Sequence, residues 1–131
     1  MRVVALDHGA VRTGVAVSDP TGTLARPLTV VANVDRDAGF AVLLKLLEDE
    51  APERIVVGLP VSLDGAERDQ AARARAFATR LAAAVGIPVA LYDERFTSKL
   101  ADQRGGRAAR DARAAATLLE DYLRSTGEPP A

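Results

Sequence analysis

Arg2-Val3-Val4-Ala5-Leu6-Asp7-His8-Gly9 begins the chain, and Thr13-Gly14-Val15-Ala16-Val17-Ser18 answers it. The first stretch is an apolar strand that runs straight into a carboxylate. His8-Gly9 turns the chain, and the second stretch reads as a return strand. A buried strand has little use for an acid at its end unless the acid meets a cation, a cap or solvent. Asp7 is therefore either a turn residue or a metal ligand held on a rigid element.

Working outward, 24–32, with Leu28, Val30 and Val31, reads as a third strand. The links among these three strands are short, which favours antiparallel neighbours. Asp35 is placed to cap a helix whose Phe40, Leu43, Leu44 and Leu47 follow the i, i+3, i+4, i+7 spacing of a core-facing stripe, and Pro52 stops it. Arg54-Ile55-Val56-Val57-Gly58 is a short continuous apolar run, the pattern of a strand buried on both faces. A Pro- and Asp-Gly-containing loop spans 58–65. A helix over 67–85 turns Ala71, Ala74, Phe77, Ala78, Leu81 and Val85 inward, with Gly86 as its closing residue. Pro88 to Tyr92 is a fifth strand, followed by Asp93-Glu94-Arg95, and Thr97 or Ser98 is placed to cap a short helix. Arg104-Gly105-Gly106-Arg107 reads as a flexible basic segment. The last helix, 111–124, buries Ala112, Ala115, Leu119, Tyr122 and Leu123, and 126–131 reads as a frayed tail. The order β-β-β-α-β-α-β-α predicts an α/β fold: a mixed five-stranded sheet with helices on its faces, in one domain over 1–131.

Composition narrows the chemistry. The chain has 131 residues, enough for a sizeable core, with 48% apolar and 27% charged residues. It has no cysteine and one histidine, His8, so neither a thiolate set nor an imidazole cluster is available to a metal. Any metal here is held mainly by carboxylates, which suits hard cations such as Mg²⁺ or Mn²⁺. No apolar run approaches the length that spans a bilayer, and the first residues lack a signal-peptide core, so a cytoplasmic location is expected. A net charge of −1 gives no global attraction to nucleic acid. Only Lys45 and Lys99 are lysines among the 17 basic residues, an arginine bias that weakens any argument from arginine abundance.

Three carboxylates stand where elements begin or end: Asp7, Glu94 and Asp111. Sites in such sheets gather at the carboxyl ends of parallel strands. If the first and fifth strands flank a parallel fourth, Asp7 and Glu94 emerge on one rim, and Asp111 approaches from the covering helix. Three converging carboxylates repel one another unless cations neutralise them. Two divalent cations acting on a phosphodiester are a familiar solution. Each acid also has a plainer reading: a strand-to-turn Asp, a solvated Glu94–Arg95 pair, a helix N-terminal charge at Asp111. The Gly9 to Gly14 turn reads either as a phosphate cradle or as a simple hairpin. Arg12 is a substrate contact or a solvated turn residue. Arg104, Arg107, Arg110 and Arg113 suit an arm against a phosphate backbone, or a solvated loop.

The segments ALDHGAVRTGVAVSDPTG, IVVGLPVSLDGAE, PVALYDERFTS and DARAAATLLEDYL, in this order and spacing, resemble the YqgF family, also called RuvX, within the RNase H-like nucleases. The resemblance spans nearly the whole chain. It implies an RNase H-like five-stranded sheet and a divalent-metal nuclease. Family members are associated with 5′-end maturation of 16S ribosomal RNA and, by an older proposal, with resolving four-way DNA junctions. Matched by motif, the implied catalytic and metal-binding acids are Asp7, Glu94 and Asp111. Arg12, Arg95 and Thr97 fall on the family's basic-turn and D-E-R-x-T positions, the implied nucleic-acid contacts, joined by Arg104, Arg107 and Arg110. Val11 stands where a lysine is common, and His8 where an aromatic or apolar residue is frequent.

The expected activity is cleavage of structured nucleic acid, pre-16S ribosomal RNA first, with Mg²⁺ or Mn²⁺, as a monomer or homodimer. A DNA junction resolvase is the nearest rival and requires a dimer, because symmetric cuts need two sites. A non-catalytic RNA- or ribosome-associated factor is the rival of another class. An actin-like ATPase is disfavoured because 131 residues leave no second lobe to close over a nucleotide.

Overall fold

A computed structural model describes residues 1–60, 69–93 and 106–126. Its elements are β1 (Val3–Asp7), β2 (Arg12–Ser18), β3 (Ala25–Ala32), α1 (Asp37–Glu50), β4 (Arg54–Leu59), α2 (Asp69–Ala84), β5 (Val89–Asp93) and α3 (Gly106–Thr126). The sheet order is β3-β2-β1-β4-β5. β1 pairs antiparallel with β2, and β2 with β3, as the short connections require. β4 runs parallel to both β1 and β5. The carboxyl ends of β1, β4 and β5 therefore share one rim, which meets the condition set by the sequence.

β1 and β4 are central because their side chains are apolar on both faces. Val4, Leu6, Val15, Val17, Ile55 and Val57 point to one face, where Phe40, Leu43 and Leu47 of α1 and Ala71, Ala74, Phe77 and Leu81 of α2 cover them. Val3, Ala5, Ala16 and Val56 point to the other, covered by Ala115, Ala116, Leu118, Leu119 and Tyr122 of α3. This alternation is the period of two that a strand imposes. Pro27 is tolerated because β3 is an edge strand, and it sits where the β2–β3 register shifts.

Several local expectations are corrected. Asp35 does not cap α1. Arg36 is the N-cap, with no side-chain cap bond, and Asp35 is drawn to His8 instead. α1 ends at Ala51 in the left-handed conformation (φ 50°, ψ 54°), its N–H donating to the Leu47 carbonyl, and Pro52 then blocks continuation. Gly86 does not take the positive φ of a left-handed cap; Gly22 is the one glycine with positive φ among the described residues. α3 starts at Gly106, not Asp111, so Gly106, Arg107 and Arg110 belong to a helix rather than to a loose arm. Glu94, Arg95, Thr97, Ser98, Arg104 and the tail from 127 lie outside the described residues.

Candidate active site at the carboxyl rim

Asp7 is the last residue of β1, on the face shared by Val3 and Ala5, and it is half-buried. Its partner across the β1–β2 ladder is Gly14. Directly opposed residues of an antiparallel pair point to the same face, so Asp7 and position 14 both face α3. A Cβ at position 14 would overlap the backbone carbonyl oxygen of Asp111. Glycine is therefore what lets α3 sit against β2 at this point, bringing Asp111 beside the residue paired with Asp7. Asp111 is in the second turn of α3, so its charge does not act as a helix-terminal cap.

Arg12, two residues before Gly14 on the same face, donates from Nε to Asp111 Oδ2 at 2.8 Å. Each side chain keeps about a third of its surface exposed, 34% and 28%, so the pair is screened and its contribution modest. The arginine expected to reach a substrate phosphate is thus engaged with an acid of the candidate site. In the turn itself, the Gly9 N–H faces Thr13 Oγ1 at 3.5 Å, and the Asn33 N–H donates to the Val11 carbonyl at 2.8 Å. Those bonds brace the hairpin.

His8 points to the opposite face. Its ring stacks on Phe77 of α2, with centroids 4.8 Å apart. Its Nε2 lies 2.9 and 3.0 Å from the two Asp35 oxygens. An ionised carboxylate only accepts, so Nε2 carries the hydrogen and donates. The only histidine is a buried tie between the end of β1 and the segment before α1.

A cavity of about 180 Å³ opens at this rim, lined by Asp7, His8, Gly9, Ala10, Pro60, Gln70 and Arg73. Pro60 follows β4, and Gln70 and Arg73 come from α2. Neither Gln70 nor Arg73 was singled out by sequence. Their signal is weak: a solvent-side arginine on a long helix of an arginine-rich chain. Among the described residues no three acidic or histidine side chains form a metal-binding group. Asp7 and Asp111 are nevertheless hard-oxygen donors brought to one face by the Gly14 contact, a donor chemistry that fits Mg²⁺ or Mn²⁺. Asp93, the last residue of β5, stands at the same rim, and Glu94 follows it in the sequence.

The model of the RuvX family, described as Holliday junction resolvase, matches residues 1–125. The chain belongs to the RuvX family. Among curated relatives of this RuvX-family chain, one from Bordetella parapertussis is 41% identical, covering 97% of this chain and 96% of the relative. One from Anaeromyxobacter sp. is 42% identical, covering 94% and 96%. Both carry the name "Putative pre-16S rRNA nuclease". Among solved structures, Thermus thermophilus RuvC superposes with a TM-score of 0.61 at 20% identity, covering 98% of each chain. Fowlpox virus resolvase, solved with Holliday junction DNA, gives 0.56 at 9% identity, covering 98% of this chain and all of that one. These likenesses establish an RNase H-like fold for the RuvX-family chain.

Proposed function

We propose that this chain is a nuclease that hydrolyses phosphodiester bonds of structured nucleic acid, with the precursor of 16S ribosomal RNA as its first substrate. The observation that carries this is the placement of Asp7. It ends a central strand, lines the rim cavity, and lies opposite the glycine that seats Asp111. The family match and the names of the curated relatives support the reaction and the substrate.

Asp7, Asp111 and Glu94 would hold Mg²⁺ or Mn²⁺. When bound, the cation supplies positive charge for attack by water and for the leaving oxygen. The chain's own residues do the rest. The strand end holds the Asp7 carboxylate in a fixed direction. Arg12, donating from Nε to Asp111 Oδ2, orients that carboxylate. Arg95, Thr97, Arg104, Arg107 and Arg110 are proposed as contacts to the substrate backbone. No helix among the described residues is long and apolar enough to cross a membrane, and we place the protein in the cytoplasm, with its substrate.

One cleavage assay tests the proposal. A pre-ribosomal RNA fragment, single-stranded DNA and a four-way DNA junction are each incubated with Mg²⁺ or Mn²⁺, beside the Asp7→Asn variant. The expected result is preferential RNA cleavage, abolished in Asp7→Asn with the circular dichroism spectrum unchanged. Full activity in that variant sinks the assignment of Asp7. The family's description favours one second reading, junction resolution, which requires a dimer. Junction cleavage that exceeds RNA cleavage, with a dimer in sedimentation, would establish it instead.

A further inference from the structure

The rim cavity is lined by Asp7 to Ala10 at the end of β1, by Pro60, and by Gln70 and Arg73 of α2. Gln70, Arg73, Phe77 and Arg80 are spaced three, four and three apart, so they lie along one stripe of α2. Phe77 is buried beneath His8. The Arg80 guanidinium lies 3.9 Å from the centre of the Phe40 ring, and donates to the Asp35 carbonyl at 3.2 Å and to Asp37 at 2.9 Å. The lower cation of the stripe is thus committed to holding α1 against α2. The upper one, Arg73, is exposed on the cavity wall and has no hydrogen bond or ion pair among the described residues. Arg12, the cation of the opposite sheet face, is committed to Asp111.

An anionic phosphate entering beside Asp7 is repelled by that carboxylate, and something must offset the repulsion. A divalent cation does so on the acid side. On the facing wall Arg73 is the described group that supplies positive charge, with five N–H donors for phosphate oxygens. Gln70, one turn earlier on the same stripe, adds an uncharged donor and acceptor. We propose that Arg73, with Gln70 beside it, forms a backbone-phosphate subsite that positions the nucleic acid across the cavity from Asp7. This rests on the nuclease reading and adds a binding group to it.

The test is equilibrium binding rather than turnover. A fluorescein-labelled single-stranded RNA containing the precursor junction is titrated with protein in chelator, from about 50 to 200 mM KCl. Each phosphate contact removed makes the slope of log K against log[salt] shallower by about 0.7 for single strands. Arg73→Ala is expected to weaken binding and lose about that much slope, with its Tm unchanged. Arg73→Lys should keep the slope, because it keeps the charge. Gln70→Ala should weaken binding at an unchanged slope. Arg73→Ala that binds with the parent's affinity and slope overturns the subsite alone. A parent protein that binds no RNA in this assay and cleaves none with Mn²⁺ overturns the nuclease reading and the subsite with it.

Discussion

His8 is 97% shielded from solvent at its side chain, since only 3% is exposed, and its single hydrogen-bonding commitment at Nε2 is to Asp35. As a residue it looks like a departure from its family's pattern. In place it does the packing work of an aromatic ring against Phe77 and adds a polar tie. Asp19 shows a different use of a carboxylate. It accepts from the Thr21 hydroxyl and from the backbone N–H groups of Leu24 and Thr23, closing the β2–β3 turn. Those bonds, the Thr21 hydroxyl first, hold its pKa down to about 2. A folded-state pKa below the unfolded one stabilises at pH values above the ordinary carboxylate range, near 3.9. The contribution is lost as pH falls through about 2. The amide resonances of Thr23 and Leu24 should therefore titrate with a midpoint near pH 2 in an NMR series. A midpoint near 4 would show that the turn bonds do not form in solution.

Among the elements, α3 carries Asp111 against the sheet, beside the residue paired with Asp7. It packs across β1, β2 and β3, and at Gly14 its backbone lies so close that a Cβ would overlap the Asp111 carbonyl. Gly14→Ala sets a methyl group against the Asp111 carbonyl, and backbone cannot rotate away as a side chain does. Overpacking of this kind costs about 1–3 kcal/mol, measurable by urea unfolding. Cleavage should fall further than stability accounts for, because the shift displaces Asp111. A Gly14→Ala protein with parental activity would mean that α3 does not set the site. α1 and α2 play the other part: through Arg80, Phe40 and Phe77 they fix the wall that carries Arg73.

At the scale of the molecule, two cores share one sheet. Val4 and Leu6 belong to the core under α1 and α2, and Val3 and Ala5, their neighbours on the same strand, to the core under α3. Loss of either core strips one face of β1, the strand that both cores share. Leu43→Ala and Leu118→Ala, at two fully buried positions in different cores, should each cost about 2–5 kcal/mol. Both should shift one common unfolding transition seen by circular dichroism and by tyrosine fluorescence. Separate transitions in the Leu118→Ala protein would show α3 melting alone, and would divide what the sequence reads as one domain.

Strand and helix identities were legible because they are written locally. The apolar runs at Val3–Leu6 and 54–58 and the Phe40, Leu43, Leu47 stripe each report the pattern that burial on two faces or one demands. Element ends were less legible, because helix termini fray and a cap is worth only about 0.5–2 kcal/mol. Asp35 is a good cap by type and was claimed by His8; Ala51 is a poor left-handed residue that Pro52 and the Leu47 carbonyl make serviceable. Asp7 was legible as an acid at a strand end, and the short links fixed β1, β2 and β3 as antiparallel neighbours; that β4 lies parallel between β1 and β5, and that Asp111 sits inside α3 rather than at its start, came from the packed structure. Only the tertiary structure decided that Arg12 reaches Asp111 across 99 residues of chain, that Gly14 is the seat of α3, and that Arg73 rather than Arg80 faces the cavity. The reason is physical. Periodicity is set by neighbours a few residues away, whereas the company a charged side chain keeps depends on which distant elements the packed cores bring against it.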